Sequence, residues 1–303
     1  MIKSPRTSRF AAALVATCLL GLTACGNVLS SSDAFSVNGV GYSEDDFNKL
    51  ADALISEGGF TPVNGKMRSG DVIGLLKELI TYEASLQFFK ENDVKILESD
   101  KALILKNANA DEQFRSRPEV IQDVLINLNV SITTLKGMAP PAIGTIEKLY
   151  SASPASTGVL CLSHILVKTE AAARTVLADL KSGATFADVA AKKSIEPGAD
   201  KSGGSLANGD QPCQALADLQ KESDKDFMIG AVAAKPGVPT GPVKSSFGYH
   251  IIYSAPFADV KDSVATVVAQ APGITLLAGY MSSADIKVSS KYGVWNGATA
   301  TIS

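Results

Sequence analysis

The stretch Gly241-Pro242-Val243-Lys244-Ser245-Ser246-Phe247-Gly248-Tyr249-His250-Ile251-Ile252 decides how the second half of the chain folds. Pro242 and Gly248 punctuate it, and Tyr249 to Tyr253 is a short run of aromatic and β-branched residues that predicts a strand. Val159 to Val167 is a second strand-like run. Between the two lie an Ala-rich helix over 169–180 closed near Gly183, a shorter helix over 185–193, an irregular Gly-rich loop over 194–208, and one or two helices between 214 and 234. The order β, α, α, loop, α, β is an α+β unit of about 100 residues.

Toward the N-terminus the grammar changes. Phe35-Ser36-Val37-Asn38-Gly39 predicts a short strand that turns at Asn-Gly. Ser43 then caps a helix whose first turn is acidic and whose apolar positions are Phe47, Leu50, Ala51 and Leu54, with Gly58 and Gly59 as its stop. A second amphipathic helix runs from about 71 to 92, with Val72, Leu75, Leu76, Leu79, Ile80 and Leu86 on one side. Further helical patterns cover 99–110, 117–136 and 141–149. Residues 151–157, rich in Ser, Ala and Pro, read as a linker. Beyond Phe257 a helix over 260–269 precedes Ile286-Lys287-Val288 and Tyr292-Gly293-Val294-Trp295. That ending is too short to fold alone, and the strand near Phe35 is its natural partner. The expected domains are therefore 34–152 joined with 258–303 as a discontinuous, mainly helical unit, and 157–257 inserted between them.

The chain of 303 residues is 46% hydrophobic and 19% charged, enough for one sizeable core or two modest ones. Its 28 cations against 31 anions offer no basic footprint for nucleic acid. Residues 1–24 hold Lys3, Arg6 and Arg9, no acid, and an apolar run from Phe10 to Leu22, the pattern of an export signal. Leu22-Thr23-Ala24-Cys25 resembles a bacterial lipobox, which implies lipidation of Cys25 and a tether over 25–33; the alternative is an ordinary cleaved signal with an incidental cysteine. Export removes Cys18 and lipid takes Cys25, which leaves Cys161 and Cys213, most simply a disulfide in an oxidising compartment. The protein is expected outside the cytoplasm, held at the cell membrane by Cys25.

Within 157–257 four ordered blocks resemble the parvulin-type peptidyl-prolyl isomerases: Ser163-His164-Ile165-Leu166-Val167, Thr185-Phe186-Ala187-Asp188-Val189-Ala190, Ser194-Ile195-Glu196-Pro197-Gly198 with Gly203-Gly204-Ser205-Leu206, and the Gly241 to Ile252 stretch. The resemblance implies a small antiparallel sheet with flanking helices. The lipobox, helical first half and Tyr-Gly-x-Trp ending look like the SurA/PrsA class of extracytoplasmic foldases, which implies a SurA-N-like chaperone domain around the insert. Its partners would be unfolded or partly folded exported polypeptides with X-Pro bonds, and the membrane through Cys25.

Rotation about a prolyl amide must overcome about 18–20 kcal/mol of partial double-bond character, and it needs neither nucleophile, cofactor nor metal. Apolar walls for the ring, exclusion of water and a few hydrogen bonds suffice. By resemblance, His164 and His250 lie side by side on adjacent strands and shape the floor, and Glu196 sits where the family carries Asp or Cys near the twisting carbonyl. Those three are the candidate catalytic residues. Leu206, Phe227, Ser245 and Phe247 are the candidate substrate-binding residues, with Ser223 where Met is common. His164 and His250 equally suit a structural polar pair; the alternative for Phe227 is simple core packing. Cys161-x-x-His164 with Cys213 and His250 has a zinc-like composition, but side chains three apart on a strand point to opposite faces, so no metal is expected. Two functions stay open: an isomerase that assists folding, and a holdase chaperone whose parvulin unit binds chains without turnover.

Overall fold

Phe35 and Val37 alternate with Ser36 in the strand Asp33–Val37, and Asn38 and Gly39 follow with φ of 46° and 84°. Positive φ at both central residues is the turn that suits the twist of a two-residue hairpin, and Val40–Ser43 returns antiparallel. The computed structural model describes residues 29–303, so the leader over 1–24, Cys25 and the start of the tether lie outside the described residues.

On its other edge Asp33–Val37 pairs antiparallel with Ile286–Val288, Phe35 opposite Val288 and Val37 opposite Ile286. The strand near Phe35 and the strand near Ile286 thus complete one three-stranded sheet. Ser43 accepts the Asp46 N–H at 3.1 Å and starts the helix Glu44–Ser56, which buries Phe47, Leu50 and Ala51. The helix Ser69–Glu91 buries Leu76, Leu79, Ile80, Ala84, Phe88 and Phe89, while Val72, Leu75 and Leu86 are half-buried. Its buried stripe joins the expected Leu76, Leu79 and Ile80 to Phe88 and Phe89 near its end. Glu98–Ala110 buries no side chain and lies against Glu119–Gly137. The helices Glu44–Ser56, Ser69–Glu91 and Glu119–Gly137 share a core with Phe35, Tyr150, Phe257, Val264, Val268 and Leu277.

Three readings need correction. Residues 151–157 are not a flexible linker: the helix Ile143–Ala152 runs into a 3-10 turn, Pro154–Thr157, whose Ala155 and Thr157 are buried. Small residues let this turn press against the helix Pro272–Ser283, where a Cβ on Gly279 would stand 2.4 Å from the Ser156 carbonyl oxygen. That helix was not anticipated, because its apolar residues surround it and leave no period to read. The strand expected over 159–167 breaks at Cys161: Val159–Leu160 pairs with Gln214–Ala215, whereas Leu162–Val167 enters another sheet. Among the described residues no single helix is long and apolar enough to cross a membrane.

That second sheet is antiparallel in the order Leu162–Val167, Tyr249–Ser254, Thr240–Lys244. Alternation divides it cleanly. Ile165, Val167 and Ile251 face Ala173, Val176 and Val189 of the helices Glu170–Lys181 and Phe186–Lys193. Leu162 and Ile252 face Leu216, Phe227 and Met228 of Leu216–Glu222 and Lys225–Ala233. The architecture is mixed α+β, with small antiparallel sheets and flanking helices.

Candidate active site

His164 stands opposite Ile252, and Leu166 stands opposite His250. The two histidines are therefore diagonal neighbours on one face, on the side covered by Lys225–Ala233. Their Nδ1 atoms are 3.1 Å apart and the rings stack at 18°. Phe227 meets both edge-on, with centroids 5.6 Å from His164 and 5.1 Å from His250.

The remaining contacts set the direction of this chain of polar groups. Nε2 of His250 is 2.7 Å from Ser245 Oγ, which accepts the Phe247 N–H at 3.1 Å. Nε2 of His164 is 3.7 Å from Glu196 Oε2 and has no hydrogen-bond partner although it is buried. A carboxylate facing a bare imidazole nitrogen would oppose two acceptors, so the proton of His164 belongs on Nε2. His250 then donates from Nδ1 to His164 Nδ1, and Ser245 donates its hydroxyl proton to His250 Nε2. Burial pushes the His164 pKa down. Burial, with the neighbouring His164 second, pushes His250 down to about 4, against the opposing pull of Asp224 and Glu196. Both rings are neutral at pH 7.

The loop over 194–208 is tied to the sheet by backbone hydrogen bonds. Ile195 N–H donates to the Leu166 carbonyl, His164 N–H to the Gly204 carbonyl and Leu206 N–H to the Leu162 carbonyl, all within 2.9 Å. Gly204 has φ +82°, and a Cβ there would lie 2.4 Å from the His164 carbonyl oxygen, so this close approach demands glycine. Gly248, at φ +146°, similarly approaches the Val167 carbonyl where the last strand begins. Glu196 and Leu206 are thereby brought to the histidines.

A cleft of about 230 Å³ results, lined by His164, Leu166, Glu196, Leu206, Ser223, Asp224, Phe227, Phe247 and His250. Phe227 is buried under its floor, whereas Phe247 is 68% exposed at its mouth. Ser245, expected among the substrate-binding residues, does not line the cleft: it is buried with its hydroxyl on His250, behind the wall. Two wall residues escaped the sequence reading. Leu166 was visible only as a strand residue. Asp224 had a signal, since it caps Lys225–Ala233 by accepting the N–H groups of Asp226 and Phe227, and its other oxygen accepts the Ser246 hydroxyl at 3.0 Å. Cys161 and Cys213 are disulfide-bonded and buried outside the cleft. Among the described residues no group of His, Cys, Asp or Glu could hold a metal ion.

Residues 164–255 match the rotamase model described as a PPIC-type PPIase domain. NmPin, the parvulin of Nitrosopumilus maritimus, is 32% identical over 32% of this chain and 96% of its own, with a TM-score of 0.28. Residues 164–255 are a parvulin-type domain. This domain carries the cleft. The foldase protein PrsA of Clostridium kluyveri is 34% identical over 155 residues, 51% of this chain and 40% of that protein. PrsA from Bacillus subtilis is 23% identical, covering 72% of this chain and 86% of that one, with a TM-score of 0.30. The chain spans less than half the length of the curated relatives it matches.

Proposed function

We propose that this chain is an extracytoplasmic, lipid-anchored foldase that catalyses cis/trans isomerisation of X-Pro bonds and assists the folding of exported polypeptides. The observation that carries the reading is the cleft: an apolar wall of prolyl size beside two neutral histidines, with one unspent N–H. Its companions are the lipobox-like Leu22 to Cys25 and the names of the PrsA relatives. In this reading 34–152 with 258–303 is the chaperone-like domain and 157–257 the isomerase.

The pyrrolidine ring packs on Leu166, Leu206 and Phe227, which removes water from the amide and so favours the less polar twisted form. Twisting returns a lone pair to the prolyl nitrogen, and the Nε2–H of His164 is a donor with no other partner. It also deprives the carbonyl carbon of the nitrogen's electrons, which a carboxylate at Glu196 stabilises through space. His250 and Ser245 hold the tautomer of His164 and act as positioning residues.

The test is exchange of an X-Pro peptide by the full chain, measured by NMR. Acceleration that falls in Glu196→Ala, with peptide affinity retained, supports the assignment. Binding without exchange above the spontaneous rate overturns it and leaves a holdase. For the anchor, Cys25→Ala releases the protein from membranes, and a mature protein whose intact mass lacks a diacylglyceryl adduct refutes lipidation.

A further inference from the structure

Glu196 and Asp224 stand in the wall of the same cleft, and no Lys or Arg lines it. Lys225, next to Asp224, is exposed and outside that wall. Neither carboxylate is neutralised by a cation: Glu196 faces a neutral His164, and Asp224 is held by two backbone N–H groups and a hydroxyl. A second observation marks the same space as a ligand site. The imidazole of His164 is more than nine-tenths buried, yet its Nε2 has no protein partner and lies beside Glu196.

A cleft of about 230 Å³ holds little more than a proline ring and its amide. The residue before the proline is one Cα step of at most about 3.8 Å away, so its side chain emerges at the rim. From there a four-carbon lysine stem spans the opening and reaches either carboxylate. A glutamate or phosphorylated side chain at that place meets two like charges and no cation.

Resting on the isomerase reading above, we infer that the cleft selects X-Pro bonds in which X is lysine or arginine and disfavours acidic X, with Glu196 and Asp224 as the specificity-determining carboxylates. Asp224 discriminates without touching the reacting amide, since its charge acts on the flanking side chain. Because both carboxylates are reached by water, the preference is modest and is screened by salt.

The experiment uses the full chain and three tetrapeptides of form Ala-X-Pro-Phe with X lysine, alanine or glutamate. Exchange rates and peptide dissociation constants are both measured by NMR. The expected kcat/KM for lysine over glutamate is about tenfold at low salt, narrowing toward unity at 1 M salt. Asp224→Asn keeps the helix cap, because asparagine caps as well as aspartate, and should reduce the ratio about threefold with the alanine peptide as internal reference. Equal turnover of all three peptides overturns the inference while leaving the isomerase reading intact. Absence of exchange on every peptide overturns the isomerase reading, and the dissociation constants then decide the preference: lysine bound more tightly than glutamate upholds it, equal binding refutes it.

Discussion

Acidification should loosen this fold through the histidine pair. An unfolded histidine titrates near 6.5, whereas His250 in the fold is held at about 4 by burial and by His164. Between those values the unfolded chain takes up a proton that the folded chain refuses. Stability is therefore full above pH 6.5 and is lost as the pH falls toward 4. The drop from 6.5 to about 4 corresponds to at most about 3 kcal/mol, and to less where water at the open side of the cleft screens the charge. His164, lowered in the same direction by burial, adds to the loss. Urea unfolding of the full chain at pH 7.5, 6.0, 5.0 and 4.5, alongside His250→Gln, isolates the effect, since the variant cannot take up that proton. The gap in stability between the two should shrink by about 1–3 kcal/mol from pH 7.5 to 4.5. Parallel curves over that range would refute the assignment of a buried, neutral His250.

Phe227→Ala removes a ring packed on Leu162, Met228 and Ile252 and edge-on to both histidines; stability should fall by about 3 kcal/mol, and KM for an X-Pro peptide should rise more than kcat falls. Reducing the Cys161–Cys213 disulfide opens a loop of sequence separation 52 and should cost roughly 4 kcal/mol in the loop-entropy model; an unchanged urea midpoint under dithiothreitol contradicts this. Deleting residues 284–303 removes the strand paired with Phe35 and Val37 and should lower the melting temperature of the N-terminal helices; unchanged helix melting by circular dichroism would show that the strand pairing does not support them.

The parvulin unit was legible because its signals are local. Gly204 and Gly248 are fixed by close backbone approaches, and the alternation of Leu162, His164 and Leu166 follows from pleating alone. His164 and His250 are the only histidines, so a shared face drew attention to them together. Ser245 misled because a hydroxyl beside the histidine strand reads as a substrate contact, and only the fold reveals that His250 Nε2 turns back to take it. Asp224 was missed because its capping role is local but its place in the cleft is set by Lys225–Ala233 docking on Tyr249–Ser254. The helix Pro272–Ser283 escaped for the opposite reason. Its Leu276, Leu277 and Met281 are buried among other helices on several sides, so no stripe marks it. Residues 151–157 looked like a linker by composition, yet their small side chains serve close packing.

The family-sized segment shares a core with the rest of the described chain. Val159, Cys161 and Cys213 belong to the same core as Phe35, Tyr150 and Val264, outside the small cores that flank the cleft sheet. Tyr150 is fully buried and donates its hydroxyl to the Ala255 carbonyl at 2.9 Å, just past the strand that carries His250. Gln220 donates to the carbonyls of Gly297 and Ala298, at 3.2 and 3.1 Å. The floor strand Leu162–Val167 therefore begins one residue after an anchor in the outer core. Loss of that core would expose Cys161 and Val159 and free the start of the strand holding His164. Because of this shared core, the two parts are expected to unfold in one event. The chain carries its own reporters: Trp295, its single tryptophan, lies in the terminal hairpin with Thr301–Ile302, and its two histidines lie in the cleft. Thermal melts followed by Trp295 fluorescence and by the imidazole proton resonances should share one midpoint. Midpoints more than about 5 °C apart, a spacing worth roughly 1–2 kcal/mol in a chain of this size, would show that the cleft and the outer helices melt as separate bodies.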